Sequence, residues 1–402
     1  AHIYHYDWNN DFSKARNVSL QKATKDWILV LDADEVLPYE EGLKLKNIIN
    51  TNIPILGICY GHQLLADILG GEVMELNQLK EILACYFLSD CQIHQGASGM
   101  NNLTRFIEHE GKKYVLRVYQ NHSDENLVQV EQEILKRIKG VPVPVLVPTM
   151  RGDYLVRMYD KIAVLFEYQE GVNLKLERLD QYKNYGEMIG KLSRALGKLE
   201  VDKEGYSPYY ELDEAYPNHQ ICEFCQHPYE EFESLHEELK VVERVYEDLM
   251  NLSERFKTLP QQLIHGDINS SNLLMDEAGM ISRILDFEFV TKDLRAMEIA
   301  ICLSEILSEG QDEVWPRLEA FIEGLKQSLQ LTKEETEVLP SLILLRRLDV
   351  VMHFIVRYRR NISSEIVGKG EFLSKQIVKL VEQSSWIEEN GNRLIELLSN
   401  CE

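Results

Sequence analysis

The feature that most restricts this chain is a change of pattern near Gly171. Residues 92–168 read as short strands around a single helix, and beyond Gly171 the chain reads as helix almost throughout. Strands first and helices afterwards describe a two-lobed α+β domain. Residues 92–118 hold two or three strands, with a loop Gln95-Gly96-Ala97-Ser98-Gly99-Met100-Asn101-Asn102 between the first pair. Residues 124–138 form a helix by the spacing of Leu127, Val130, Ile134, Leu135 and Ile138. Residues 154–158 and 162–168 make a hairpin around Tyr159-Asp160-Lys161. In the helical part, Leu179, Tyr182, Tyr185, Ile189, Leu192, Leu196 and Leu199 hold one face of a long helix. Two short strands, 273–275 and 281–285, are the exceptions there.

A chain of 402 residues is expected to form two or three folding units. The pattern places them at 1–78, an appended α/β segment, 79–170, a small β-rich lobe, and 171–402, a large helical lobe. The chain begins at Ala1 rather than Met, as a trimmed start would. A hydrophobic share of 45% and a charged share of 27% give a globular protein with ample core. No apolar run is long enough to span a membrane, and no secretory signal stands at the start. The formal charge of −23 argues against a nucleic-acid partner, since phosphate backbones call for a basic surface. Seven scattered cysteines fit reduced thiols in a cytoplasmic protein rather than a disulfide framework. The oligomeric state is left open.

Two short apolar segments end in carboxylates. Gln262-Leu263-Ile264-His265-Gly266-Asp267 puts Asp267 in a loop, with Asn272 five positions on, just before Leu273-Leu274-Met275. Ile284-Leu285-Asp286-Phe287-Glu288 then puts Asp286 at the end of a buried strand, where a bare carboxylate is costly without a cation. A turn at Gly279 separates the two. Phosphoryl transfer from ATP needs Mg²⁺ ligands, a carboxylate beside the attacking hydroxyl and a cation on the remaining phosphates. Asp267 suits the second role, while His265 reads as a hydrogen-bonder holding the loop.

These residues resemble the aminoglycoside phosphotransferase and choline kinase-like enzymes, distant relatives of protein kinases, and within them the branch with homoserine kinase-like and spore-coat-kinase-like members. The resemblance covers residues 79–402. It implies a protein-kinase-like fold, ATP and Mg²⁺ as cofactors, and phosphorylation of a hydroxyl on a small amino alcohol, aminoglycoside or sugar-like acceptor. It also implies that Asp267 acts as base or orients the acceptor, and that Asn272 and Asp286 hold Mg²⁺. On the same terms Arg117, in Lys113-Tyr114-Val115-Leu116-Arg117-Val118, touches the phosphates where protein kinases use Lys. Glu131 is its acidic partner; Glu133, two residues on, projects about 200° further round the helix. Gly96, Ser98 and Gly99 belong to the loop over the phosphates, and Glu167 and Tyr168 to the hinge that binds adenine. Glu288 stands where protein kinases have Gly, which keeps open a protein that binds nucleotide without turnover.

The front segment carries two other resemblances. Asp32-Ala33-Asp34, after Trp27-Ile28-Leu29-Val30-Leu31, looks like the metal-binding motif of nucleotide-sugar glycosyltransferases (residues 1–50). Ile55-Leu56-Gly57-Ile58-Cys59-Tyr60-Gly61-His62 looks like the nucleophile elbow of class I glutamine amidotransferases (residues 53–76), with Cys59 as nucleophile. Each lacks the rest of its own fold, and glutamine hydrolysis at Cys59 stays an alternative. His219, Cys222, Cys225 and His227 are ligand types that suit zinc at a spacing tighter than the usual paired knuckle. The clusters Tyr206-Ser207-Pro208-Tyr209-Tyr210 and 211–214 could supply aromatic and acidic walls for the acceptor.

Overall fold

The computed structural model describes residues 74, 76–96, 102–119, 124–202, 205–216, 218–309, 314–359 and 370–399, and of 213, 215, 218 and 219 the backbone alone. The chain divides into two units, Ala1–Leu79 and Lys80–Glu402. The motifs around Asp32, Asp34 and Cys59 lie outside the described residues, as do Ser98 and Gly99.

After a helix Leu76–Ala84, the second unit builds an antiparallel sheet from β1 (Gln92–Gln95), β2 (Asn102–His109), β3 (Lys112–Tyr119), β4 (Leu155–Met158) and β5 (Lys161–Glu167), in the order β1-β2-β3-β5-β4. Strand β3 lies at its centre, paired along its length with β2 and β5. Successive side chains of a strand face opposite ways. Leu116 and Val118 therefore fill the core, while Arg117 and Tyr119 share the other face. That face meets the helix Glu125–Arg137, whose N-terminus is capped by Asp124 accepting from the Asn126 N–H at 2.9 Å. Its basic last turn, Lys136 and Arg137, complements the helix dipole. The β4–β5 turn has Tyr159 and Asp160 both at φ 55°, the left-handed pair that a two-residue hairpin needs.

The second half is mainly helical. The helices Leu179–Leu196 and Val314–Lys326 pack closely because each brings a glycine to the crossing. A Cβ on Gly186 would stand 1.8 Å from the Phe321 carbonyl oxygen, and one on Gly324 would stand 1.9 Å from that of Lys183. Helices Arg295–Ser308, Lys333–Arg359 and Glu371–Ser399 complete the lobe around Met297, Leu342, Leu345, Leu348, Ile377 and Leu380.

The helical half holds more strand than the sequence pattern suggests. Besides β8 (Leu273–Met275) and β9 (Ile281–Ile284), it contains β6 (Val172–Asn173), paired to β8, and β7 (Gln261–Ile264), paired antiparallel to β10 (Thr291–Leu294). These are pieces of two to four residues, too short to show alternation. Leu179 opens its helix 51% exposed, and Leu199 lies beyond the helix end at Leu196, so both leave the apolar face assigned to them. Among the described residues no helix is long and apolar enough to cross a membrane.

Candidate active site

Strand β7 ends at Ile264 and delivers His265-Gly266-Asp267 into a turn. Gly266 has φ 80°, and a Cβ there would lie 2.6 Å from the Phe289 carbonyl oxygen, so only glycine fits. His265 is fully buried. Its Nε2 donates to the Leu285 carbonyl at 2.8 Å and its Nδ1 accepts from the Asp267 N–H at 3.3 Å. Those two bonds specify a neutral ring, and burial lowers its pKa to match. The imidazole thus ties the loop of Asp267 to the strand end before Asp286. A buried carboxyl group completes the support: Glu298 accepts the His265 N–H at 2.5 Å. Burial pushes Glu298 up to about 7, against the backbone hydrogen bonds from His265 and Gly266.

Asn272 lies beside Asp267. Its Nδ2 donates to the Asp267 carbonyl at 2.9 Å and approaches the carboxylate Oδ2 at 3.3 Å. The Leu285 N–H donates to the Asn272 carbonyl at 2.8 Å, which fixes Asp286 next to the same turn. Asp286 adopts φ 60°, ψ 70°, a left-handed conformation that costs a residue with a Cβ about 1–3 kcal/mol and is retained mainly at functional positions.

The small lobe meets this loop through Arg117. Its Nη1 lies 2.9 Å from Asp286 Oδ1 and 3.4 Å from Glu131 Oε1. Tyr119, on the same strand face, donates to Glu131 Oε2 at 2.5 Å. Burial opposes the Arg117 charge, but Asp286 and Glu131 outweigh it and hold the guanidinium above its usual range. Burial also raises Glu131, to about 7, despite Arg117 and Tyr119. Glu133 pairs instead with Arg137 at 2.5 Å on the exposed face. Glu288, buried beside Asp286, accepts from Asn102 Nδ2 at 2.5 Å at the start of β2, where the glycine-containing loop ends. Gly96 sits under β2, where a Cβ would be 2.6 Å from the Thr104 carbonyl oxygen. Glu167 and Tyr168 close β5. Their N–H groups donate to Val145 at 2.9 Å and Lys113 at 3.1 Å.

Tyr119, Glu298 and Arg346 were not anticipated in the site, and Tyr209 was expected only as part of an aromatic wall for the acceptor. Arg346, from the helix Lys333–Arg359, donates through Nη2 to Asp267 Oδ1 at 2.6 Å. Tyr209 donates to the Gly266 carbonyl at 2.5 Å. One signal did exist: Arg346-Arg347-Leu348-Asp349 interrupts the mainly apolar stretch 338–352 of that helix. The aromatic cluster at 206–210 divides, since Tyr210 turns away to meet Gln261 Nε2 at 3.2 Å. Two of the zinc ligand types share one helix. Cys222 and Cys225 lie on the helix Asn218–Gln226, Cys225 is buried with its thiol pushed up to about 12, and the His219 side chain lies outside the described residues. Among the described residues no group of three or more His, Cys, Asp or Glu side chains is placed to hold a metal.

A β-sheet lobe whose half-buried arginine reaches the acidic loops of a helical lobe defines a protein-kinase-like phosphotransferase. The phosphotransferase enzyme family profile matches residues 92–335, more than half of the chain, and the chain belongs to that family. Shorter matches are to glutamine amidotransferase class-I, residues 38–139, and glycosyl transferase family 2, residues 1–63. The first of these runs into the sheet just described, where residues 92–139 form part of the kinase-like lobe. The homoserine kinase of Zymomonas mobilis is 25% identical over 242 residues, 59% of this chain and 72% of that protein. Among solved structures, a microcompartment-associated aminopropanol kinase superimposes with a TM-score of 0.60 at 18% identity, covering 80% of this chain and 100% of that one. An amicoumacin kinase in complex with AMP-PNP, Ca²⁺ and Ami superimposes with a TM-score of 0.58 at 15% identity, covering 78% and 94%. The protein is a small-molecule kinase with an alcohol group as acceptor.

Proposed function

We propose that this enzyme transfers the γ-phosphoryl group of ATP, with Mg²⁺, to the hydroxyl of an amine-bearing small molecule such as an amino alcohol or hydroxy amino acid. The observation that carries the reading is the bridge of Arg117 between Glu131 and Asp286, because it sets a phosphate-seeking cation from one lobe against a metal-seeking carboxylate from the other.

Asp267 is read as the carboxylate that receives and orients the acceptor hydroxyl. Asn272 and Asp286 are read as the Mg²⁺ ligands. The fit is chemical: Asn272 spends its donor nitrogen on Asp267, leaving its amide oxygen for a cation, and strained Asp286 is neutralised here by Arg117. The ion would neutralise charge on the β- and γ-phosphates. Arg117 would exchange its contact with Asp286 for phosphate oxygens, held by Glu131 and Tyr119. Gly96, Ser98 and Gly99 are assigned to the loop over the phosphates through their backbone N–H groups. Glu167 and Tyr168 are assigned to the adenine hinge; since both N–H groups are engaged inside the protein, the Glu167 carbonyl is the group of choice for the adenine amine. The five cysteines among the described residues are free thiols, which supports a cytoplasmic setting.

The names of the similar proteins and the charge of −23 favour an amine on the acceptor. The test is a ³¹P assay of ATP and Mg²⁺ with L-homoserine, 1-amino-2-propanol, an aminoglycoside and a neutral sugar. Phosphorylation of an amine-bearing acceptor in preference to the sugar supports the reading. Nucleotide binding without transfer to any of the four contradicts it.

A further inference from the structure

Arg346 stands in a helix whose neighbouring residues Leu342, Ile343, Leu345 and Leu348 are all fully buried. A cation in such a setting is costly unless it is paired and hydrogen-bonded. Its guanidinium finds three partners: Asp267 Oδ1 at 2.6 Å, Tyr209 Oη at 2.8 Å and Asp349 Oδ2 at 3.5 Å. Two of them lead elsewhere. Tyr209 passes its own proton to the Gly266 carbonyl at 2.5 Å, and its N–H donates to the buried Asp293 at 2.6 Å. Asp349 accepts from the Tyr216 hydroxyl at 2.7 Å. The Asp267 carboxylate is therefore gripped on Oδ1 by Arg346 and faced on Oδ2 by Asn272 at 3.3 Å, so its plane cannot turn freely.

We propose that Arg346 is a positioning residue. Its planar fork fixes the Asp267 carboxylate directly and the Gly266 backbone through Tyr209, joining the long helix Lys333–Arg359 to the loop that receives the acceptor hydroxyl. This rests on the reading of Asp267 as the group that meets that hydroxyl. Arginine suits the task because one rigid guanidinium can address both partners at once, which an ammonium on a flexible stem does less well. The gain is orientation: a displacement of the receiving carboxylate by about 1 Å can cost about 100-fold in rate.

The test compares Arg346→Met, Arg346→Lys, Tyr209→Phe, Asp267→Asn and the double variant Arg346→Met/Asp267→Asn in the full chain. Phosphotransfer is followed with L-homoserine and 1-amino-2-propanol, and ADP release with water as acceptor. AMP-PNP titration gives nucleotide affinity, and hydrogen exchange reports the amides of residues 265–272. Arg346→Met should lower kcat about 100-fold, with AMP-PNP affinity within about twofold of wild type. Exchange in residues 265–272 should rise, Arg346→Lys should recover only part of the rate, and Tyr209→Phe should fall between. Because Arg346 acts through Asp267, the double variant should be no slower than Asp267→Asn alone. Wild-type rate and exchange in Arg346→Met would overturn the proposal, and so would losses that multiply in the double variant. Unchanged turnover in Asp267→Asn would instead overturn the reading of Asp267 itself. If the wild-type chain turns over no acceptor, the exchange comparison alone decides whether Arg346 holds the loop.

Discussion

Asp286 carries the clearest strain in the site, a left-handed backbone on a residue with a Cβ, and its carboxylate is satisfied here by Arg117. Asparagine tolerates that conformation nearly as well as aspartate. Asp286→Asn should therefore melt within a few degrees of wild type while phosphotransfer falls about 100-fold or more, the loss typical of removing a preorganised charge. Thermal melts and initial rates on the same preparation check both halves. Arg117→Met should raise the ATP dissociation constant about tenfold or more, as expected for losing a charge-assisted phosphate contact worth about 1.5–3 kcal/mol. Titration with AMP-PNP measures it. Buried Glu298 gives a pH signature. A carboxyl raised from 4.5 to about 7 keeps its proton in the folded chain at pH values where the unfolded chain has lost it. Its contribution to stability is thus full below about 4.5 and is lost as pH rises through about 7. Glu298→Gln cannot ionise, so its melting temperature should decline less than wild type between pH 5.5 and 8, which melts across that range would show.

At the scale of elements, the helix crossing at Gly186 and Gly324 sets the frame of the large lobe. Gly324→Ala puts a methyl 1.9 Å from the Lys183 carbonyl oxygen, and both atoms belong to rigid helix backbone. Overpacking of that kind should cost about 3 kcal/mol, readable as a lower denaturation midpoint with an unchanged slope. The same scale shows what the sequence makes legible. The helix Glu125–Arg137 and strands β2, β3 and β5 follow from apolar spacing, because their signals are local. The pairing of β7 with β10 is not local: four residues at Gln261–Ile264 meet four at Thr291–Leu294, and neither stretch shows a period by itself. The site divides in the same way. Asp267, Asn272 and Asp286 are close in sequence and their loop geometry reads out directly, and Glu131 is separable from Glu133 by helical angle. Arg346 and Tyr209 reach Asp267 and Gly266 from 79 and 57 residues away, and Glu298 supports His265 from 33. Only packing brings them there.

For the whole molecule, the kinase-like architecture belongs to residues 80–402, while the front segment carries short matches to two other families. If phosphotransfer is a property of the second unit, a chain starting at residue 75, ahead of the helix Leu76–Ala84, should keep the kcat of the full chain within about threefold, since none of the assigned site residues precedes Gly96. The central claim is that Asp267 receives the hydroxyl to which ATP gives its phosphoryl group. Its most direct test is the rate of phosphorylated acceptor formed by wild type and by Asp267→Asn, with nucleotide affinity measured alongside. The account predicts a fall of about 1000-fold or more in kcat at nearly constant AMP-PNP affinity. Turnover in Asp267→Asn close to wild type would contradict it.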